Sequence, residues 1–197
     1  MTQKFFILRH GQTLFNAEHR LQGHCNSALT ETGQRQAEYV GSTLKTHITP
    51  AHAYVYSSTL GRAVETAHVI CEKIGFNVSN LRLEDRLKEF ALGQWEHRTI
   101  PSLIVDHPTL TNTPDWYLRA PDAEPYEAVQ TRLTDWLQTL PEKGDIIVIT
   151  HGLTGVVLRG ILLKLTYEQV WQQEIPQDAF FIVEQGKIKR VNCLPSS

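Results

Sequence analysis

The sequence predicts an α/β fold around a mostly parallel sheet, and three observations carry that expectation. An apolar run, Phe5-Phe6-Ile7-Leu8, ends abruptly in Arg9-His10-Gly11. A second run, Ile146-Ile147-Val148-Ile149, ends in Thr150-His151-Gly152. Between and after these runs lie segments whose apolar residues recur at helical spacing. A short continuous apolar run bounded by glycine reads as a strand buried on both faces, as central parallel strands are. Open α/β sheets bind ligands beyond the carboxyl ends of their strands. Both His-Gly pairs are therefore expected at one edge of the sheet.

The remaining elements follow in order. Residues 12–29 read as a loop, and a loop that long in a small domain is usually functional. Thr30 caps a helix carrying Ala37, Val40 and Leu44 on one face, ending before Pro50. Ala53-Tyr54-Val55-Tyr56 is a second strand, and Ser57-Ser58-Thr59 offer caps for the helix that follows. Leu60, Ala63, Val64, Ala67, Ile70 and Ile74 form its apolar face. Residues 78–83 suggest a short edge strand. Residues 97–125 hold five of the nine prolines and read as a pair of short helices in an excursion over the sheet and the active site. Residues 126–140 form a helix, Leu153 to about Leu165 another, and residues 179–184 and 187–193 a hairpin around Gln185-Gly186.

The totals narrow the classes. The chain has 197 residues, enough for one domain spanning 1–197 with a good core. A net charge of −2 argues against nucleic acid or an anionic membrane as partner. Residues 1–4 lead directly into the first strand, so no signal peptide is expected. Cys25, Cys71 and Cys193 have an odd count and no metal-ligand spacing, which points to a reducing, cytoplasmic location. The other histidines, at 19, 24, 47, 52, 68, 97 and 107, show no ligand pattern, so neither metal nor cofactor is expected.

The chemistry-bearing residues point to an anion. Arg9 offers a planar fork of donors suited to phosphate, and His10 beside it is a nucleophile or proton carrier. Gly11 lets the backbone turn and a ligand approach closely. Arg62 falls in the first turn of a helix, where a cation opposes the dipole unless an anion lies between them. Glu89 and Glu96 flank the apolar, glycine-containing stretch Phe90–Trp95. A carboxyl group beside apolar residues can serve as a proton donor, and Glu89 is the better candidate.

Taken together, these pieces resemble the histidine phosphatase superfamily, the phosphoglycerate mutase-like proteins. The matching stretches are Leu8-Arg9-His10-Gly11-Gln12-Thr13 with Asn16; Gln22-Gly23; Leu29-Thr30 with Gly33, Gln36 and Ala37; Ser57-Ser58 with Arg62, Ala63, Thr66 and Ala67; Glu89 with Gly93, Trp95 and Glu96; and Thr150-His151-Gly152. Single tripeptides are weak signals, but six motifs in register are specific. The resemblance implies an α/β/α sandwich, with His10 as nucleophile and phosphoryl carrier. Arg9, Arg62 and His151 would surround the phosphate, with Asn16 completing the pocket, and Glu89 would protonate the leaving oxygen. Thr13, Gln22 and Gly23 would contact phosphate or substrate, and Gly11 and Gly152 would lie against it. The chain departs from the family pattern at Asn26, Ala28, His97 and residues 120–125. The leading expectation is a phosphomonoesterase acting on a small phosphorylated substrate. A phosphoglycerate mutase-type transferase and a non-catalytic phospho-ligand binder are the alternatives, and substrate and oligomeric state stay open.

Overall fold

In a computed structural model, which describes residues 3–193, six strands form one sheet. They are β1 (Phe5–Arg9), β2 (Ala53–Ser58), β3 (Arg82–Glu84), β4 (Asp145–Thr150), β5 (Ala179–Glu184) and β6 (Lys187–Asn192). Their spatial order is β3-β2-β4-β1-β5-β6. β1, β2, β3 and β4 pair in parallel, and β5 and β6 join antiparallel at one edge. The sheet is thus mostly parallel, as expected, and its two central strands are the two that end in His-Gly.

Helices cover both faces, which gives the three layers. α2 (Glu31–Lys45) and α3 (Gly61–Ile74) pack on one face with Phe6, Leu8, Val55, Ile147 and Ile149. α5 (Tyr126–Leu137) and α6 (Gly152–Leu163) pack on the other with Ile7, Tyr56, Ile146 and Val148. The alternation follows from the period of two along a strand, and both sets are apolar because both faces are covered. None of the helices of the described residues is long and apolar enough to cross a membrane.

Several local expectations change. The stretch 12–29 contains a short helix, α1 (Leu14–Ala17), whose N-cap is Thr13 in a reciprocal capping box with Asn16. Ser57, Ser58 and Thr59 do not cap α3; its N-cap is Leu60, with no side-chain cap. The edge strand is only three residues, preceded by a 3₁₀ turn at Val78–Asn80. Residues 97–125 hold one helix, α4 (Ile100–Asp106), and 3₁₀ turns at Leu110–Asn112 and Trp116–Arg119 rather than two helices. A helix between residues 165 and 178, α7 (Tyr167–Trp171), was not expected; its signal was the capping box of Thr166 with Gln169.

Candidate active site

Strand register brings the two histidines together. In the β1–β4 pairing Arg9 lies opposite Thr150, and the His10 amide donates to the Thr150 carbonyl at 3.0 Å. The next residues, His10 and His151, therefore leave adjacent strand ends side by side, with ring centroids 5.2 Å apart. Gly11 then passes so close to α2 that a Cβ would stand 2.2 Å from the Gly33 carbonyl oxygen. Its amide donates to Thr66 Oγ1 at 3.1 Å. This glycine is required by helix packing, and it does not line the cavity described below.

The tautomer of His10 is fixed by its neighbours. Nδ1 lies 2.7 Å from the Gly11 carbonyl, which can only accept, so Nδ1 carries the proton. Nε2 then keeps its lone pair and accepts from Arg62 Nε at 3.2 Å. Burial, reinforced by Arg62 and Arg9, pushes the imidazole well below its ordinary 6.5, against the Gly11 carbonyl, which raises it. His10 is a neutral, buried nucleophile in form.

Arg62 is 1 % exposed and is gripped on every side. Nη1 donates to the Cys25 carbonyl and Nη2 to the Gly23 carbonyl, each at 2.8 Å. Burial lowers its pKa to about 10, which leaves it charged at neutral pH. Arg9 donates to the Ile175 carbonyl at 2.9 Å. Its Nε and His151 Nδ1 are buried with no hydrogen-bond partner among the described residues. His151 Nε2 lies 2.7 Å from Ser58 Oγ, and burial, then Arg62, His10 and Arg9, hold its ring well below 6.5.

The apolar setting expected for Glu89 is not what surrounds it. Its Oε1 accepts from the amides of Phe90 and Thr154 and from Thr154 Oγ1, at 3.1, 2.9 and 3.0 Å. Oε2 accepts from the Leu153 amide alone, at 3.0 Å. The carboxylate therefore caps the N-terminus of α6. Arg132 fixes the segment that carries Glu89: it donates to the carbonyls of Arg86 and Lys88 and pairs with Glu124 at 2.9 Å.

Glu96 is a structural hydrogen-bonder, one of the two roles its sequence context allows, the other being a solvated carboxylate. Oε1 accepts from the amides of His24 and Leu92 at 2.9 and 3.0 Å, and Oε2 accepts from Cys25 Sγ at 3.0 Å. Burial raises its pKa, but these donors outweigh burial and leave it lowered. Burial and Glu96 together push the Cys25 thiol up to about 11, so it stays a donor. Glu96 thus fixes the turn 23–25 whose carbonyls hold Arg62. Gly23 has φ +53, and a Cβ there would stand 2.1 Å from Glu96 Oε1. His97, where the family often has glycine, adopts φ +66, the left-handed backbone that glycine suits.

These groups open onto a cavity of about 330 Å³. Of the expected residues, Arg9, His10, Asn16, Gln22, Gly23, Arg62, Glu89 and Gly152 line it. Gly11, Thr13 and His151 do not. Thr13 is fully buried, and its Oγ1 donates to Gln22 Oε1 at 3.1 Å while capping α1, so it holds Asn16 and Gln22 in place. Leu92, Ile100, Tyr117, Leu153, Ile175 and Gln177 also line the cavity and had no motif to mark them. Gln177 Nε2 donates to Asn16 Oδ1 at 3.1 Å. Among the described residues no group of three or more His, Cys, Asp or Glu is placed to hold a metal ion.

An α/β/α sandwich with histidines, arginines and a carboxylate converging at the strand ends forms a site whose chemistry suits a phosphoryl group. The chain belongs to the histidine phosphatase superfamily (branch 1), whose family model matches residues 5–191. A protein of Erwinia tasmaniensis named "probable phosphoglycerate mutase GpmB" is 34% identical over 168 residues, 81% of this chain and 74% of that one. A protein of the same name from Enterobacter sp. is 35% identical over 169 residues, 81% of this chain and 74% of its own. Among solved structures, mycobacterial glucosyl-3-phosphoglycerate phosphatase superimposes with a TM-score of 0.78 at 25% identity, with 96% of each chain covered. The α-ribazole phosphatase of Shigella flexneri shares the fold, with a TM-score of 0.77 at 22% identity over 97% of this chain and 96% of its own.

Proposed function

We propose that the protein is a phosphomonoesterase that hydrolyses a small phosphorylated metabolite through a phosphohistidine on His10. The observation that carries this is the fixed tautomer: Nδ1–H on the Gly11 carbonyl leaves the Nε2 lone pair at the cavity, beside a guanidinium. The bound phosphoryl group takes over the hydrogen bond from Arg62 Nε–H that His10 Nε2 accepts in its absence, and the freed Nε2 lone pair attacks phosphorus as the ester P–O bond breaks. Arg9 and Arg62 neutralise the charge spread over the phosphoryl oxygens. The unpartnered Arg9 Nε and His151 Nδ1 are suited to those oxygens, since buried polar atoms otherwise find partners. In this reading Ser58 Oγ, which accepts from the Leu60 amide at 3.2 Å, gives its own proton to His151 Nε2 in a hydrogen bond, so the ring proton sits on Nδ1 and makes that atom a donor.

Glu89 lines the cavity and passes a proton to the leaving oxygen. Its Oε2, with one hydrogen bond against three on Oε1, is the oxygen with a lone pair to spare. It then takes a proton from water as that water attacks phosphorus and breaks the P–N bond. Arg9, His10, Arg62, Glu89 and His151 are the catalytic set of this proposal, with Asn16, Gln22, Gly23 and Gly152 around the substrate.

Release of p-nitrophenol from p-nitrophenyl phosphate tests it, with EDTA present, between pH 5 and 8. Wild type should turn over and His10→Ala should not. Equal rates in the two proteins would remove His10 as nucleophile. A mutase reading is favoured by the name of the Erwinia and Enterobacter relatives. Isomerisation of 3-phosphoglycerate outpacing phosphate release would establish it instead.

A further inference from the structure

The cavity's lining is of two unlike kinds. Arg9, His10, Arg62 and Glu89 form its charged part; Leu21, Leu92, Ile100, Leu153, Ile175 and the ring of Tyr117 form an apolar wall. We infer that the leaving group is uncharged and presents apolar surface, so the phosphoryl group is the only anion the substrate brings. This rests on the phosphatase reading above and sharpens it.

An accounting of cations carries the argument. Beyond Arg9 and Arg62 the cavity meets one more arginine, Arg20. Its Nε is paired with Glu18 at 3.0 Å, and its Nη1 donates to the His97 carbonyl. Arg98 and Arg119, the arginines of the excursion, do not line the cavity; Arg98 is paired with Asp106 at 2.6 Å and Arg119 bonds Thr113. A second carboxylate or phosphate on the substrate would have to draw Arg20 away from Glu18, turn to His19, or lie against leucine and isoleucine without a partner, and burying an unpaired charge is costly.

The wall is also held rigidly. The Leu92 amide is bound by Glu96, Tyr117 stacks on Trp116 with centroids 3.9 Å apart, and the Ile175 carbonyl is bound by Arg9. Asn16 and Gln177 at the rim offer amides to hydroxyl groups, so a neutral polar portion is compatible. The volume of about 330 Å³ lies at the small end of ligand pockets, roughly 300–1,000 Å³.

The test compares two primary alkyl esters, phenethyl phosphate and 3-phosphoglycerate, so that leaving-group basicity is closely matched. Phosphate release by wild type should give a kcat/KM at least about tenfold higher for phenethyl phosphate, the discrimination a hydrophobic pocket commonly achieves. Ile100→Lys should shift the ratio of the two values by at least about tenfold toward 3-phosphoglycerate. The ratio is taken within one protein, so partial misfolding cancels. A wild-type preference for 3-phosphoglycerate, or a ratio unmoved by Ile100→Lys, overturns the inference and leaves the phosphatase reading standing. Release from neither ester nor p-nitrophenyl phosphate overturns both.

Discussion

The charged and apolar linings of the cavity are held by different kinds of structure. The charged lining sits at the ends of regular elements: His10 follows β1, Arg62 lies in the first turn of α3, and Glu89 caps α6. Its side chains hold one another, Arg62 bonding His10, so removing one disturbs several. The apolar lining is gathered from separate stretches, at Leu21, Leu92, Ile100, Tyr117, Leu153 and Ile175, and its side chains act through packing. Chemistry is thus expected to be fragile at the charged lining and leaving-group preference adjustable at the apolar one.

The largest effect should come from His10→Ala. Loss of a nucleophile should lower kcat/KM for p-nitrophenyl phosphate by at least ~10³-fold, with urea unfolding still cooperative. Gly11→Ala should come next. Its Cβ meets the Gly33 carbonyl at 2.2 Å, a backbone atom that cannot step aside, so overpacking should cost about 3 kcal/mol in urea unfolding. An unchanged midpoint would show that α2 can move away.

Glu96→Gln sharpens the comparison, because Glu96 touches neither phosphate nor His10. An amide group in place of one oxygen sets a donor against Cys25 Sγ or the amides of His24 and Leu92. At 1–3 kcal/mol for a frustrated buried partner, kcat should fall roughly tenfold while fold stability changes less. The pH–rate profile discriminates: burial and then Arg62 and Arg9 depress His10, so loosening Arg62 removes part of the depression and the acid limb should move upward. A lowered kcat with an unmoved profile would leave Glu96 a purely structural residue.

Acid stability tests the burial of both histidines. Their folded-state pKa values lie well below the ordinary 6.5, so below pH 6.5 the unfolded chain binds protons that the folded chain does not. Stability is therefore full above about pH 6.5 and falls as the pH drops from there toward the depressed folded values. The slope should be about 1.4 kcal/mol per pH unit for each histidine. Urea midpoints at pH 7.5 and 5.5 measure this, and His10→Gln should remove half of the loss. At the other extreme, Val105 in α4 is 79% exposed, and Val105→Ser should change stability by less than about 0.5 kcal/mol and activity not at all.

The same contrast explains what the sequence made legible. Phe5–Gly11 and Asp145–Gly152 are readable because buried parallel strands are continuous apolar runs and their ends are where such folds place ligands. Arg62 is readable because a cation opposes a helix N-terminus. The Thr13 hydroxyl suits both a ligand and a cap, and only the fold shows it capping α1. Ile175 and Gln177 reach the cavity across more than 150 residues of sequence, which no local pattern encodes. The partners of Glu96 in the turn 23–25 lie more than 70 residues away, which no local pattern encodes.

The most direct test of the central claim is to trap the intermediate. Wild type and Glu89→Gln would be mixed with p-nitrophenyl phosphate, quenched in base and analysed by mass spectrometry and phosphorus NMR. The account predicts an acid-labile, base-stable phosphoryl group on Nε2 of His10, which accumulates further in Glu89→Gln because hydrolysis of the intermediate slows. A phosphoryl group on Nδ1, on another residue, or on none during turnover would contradict it.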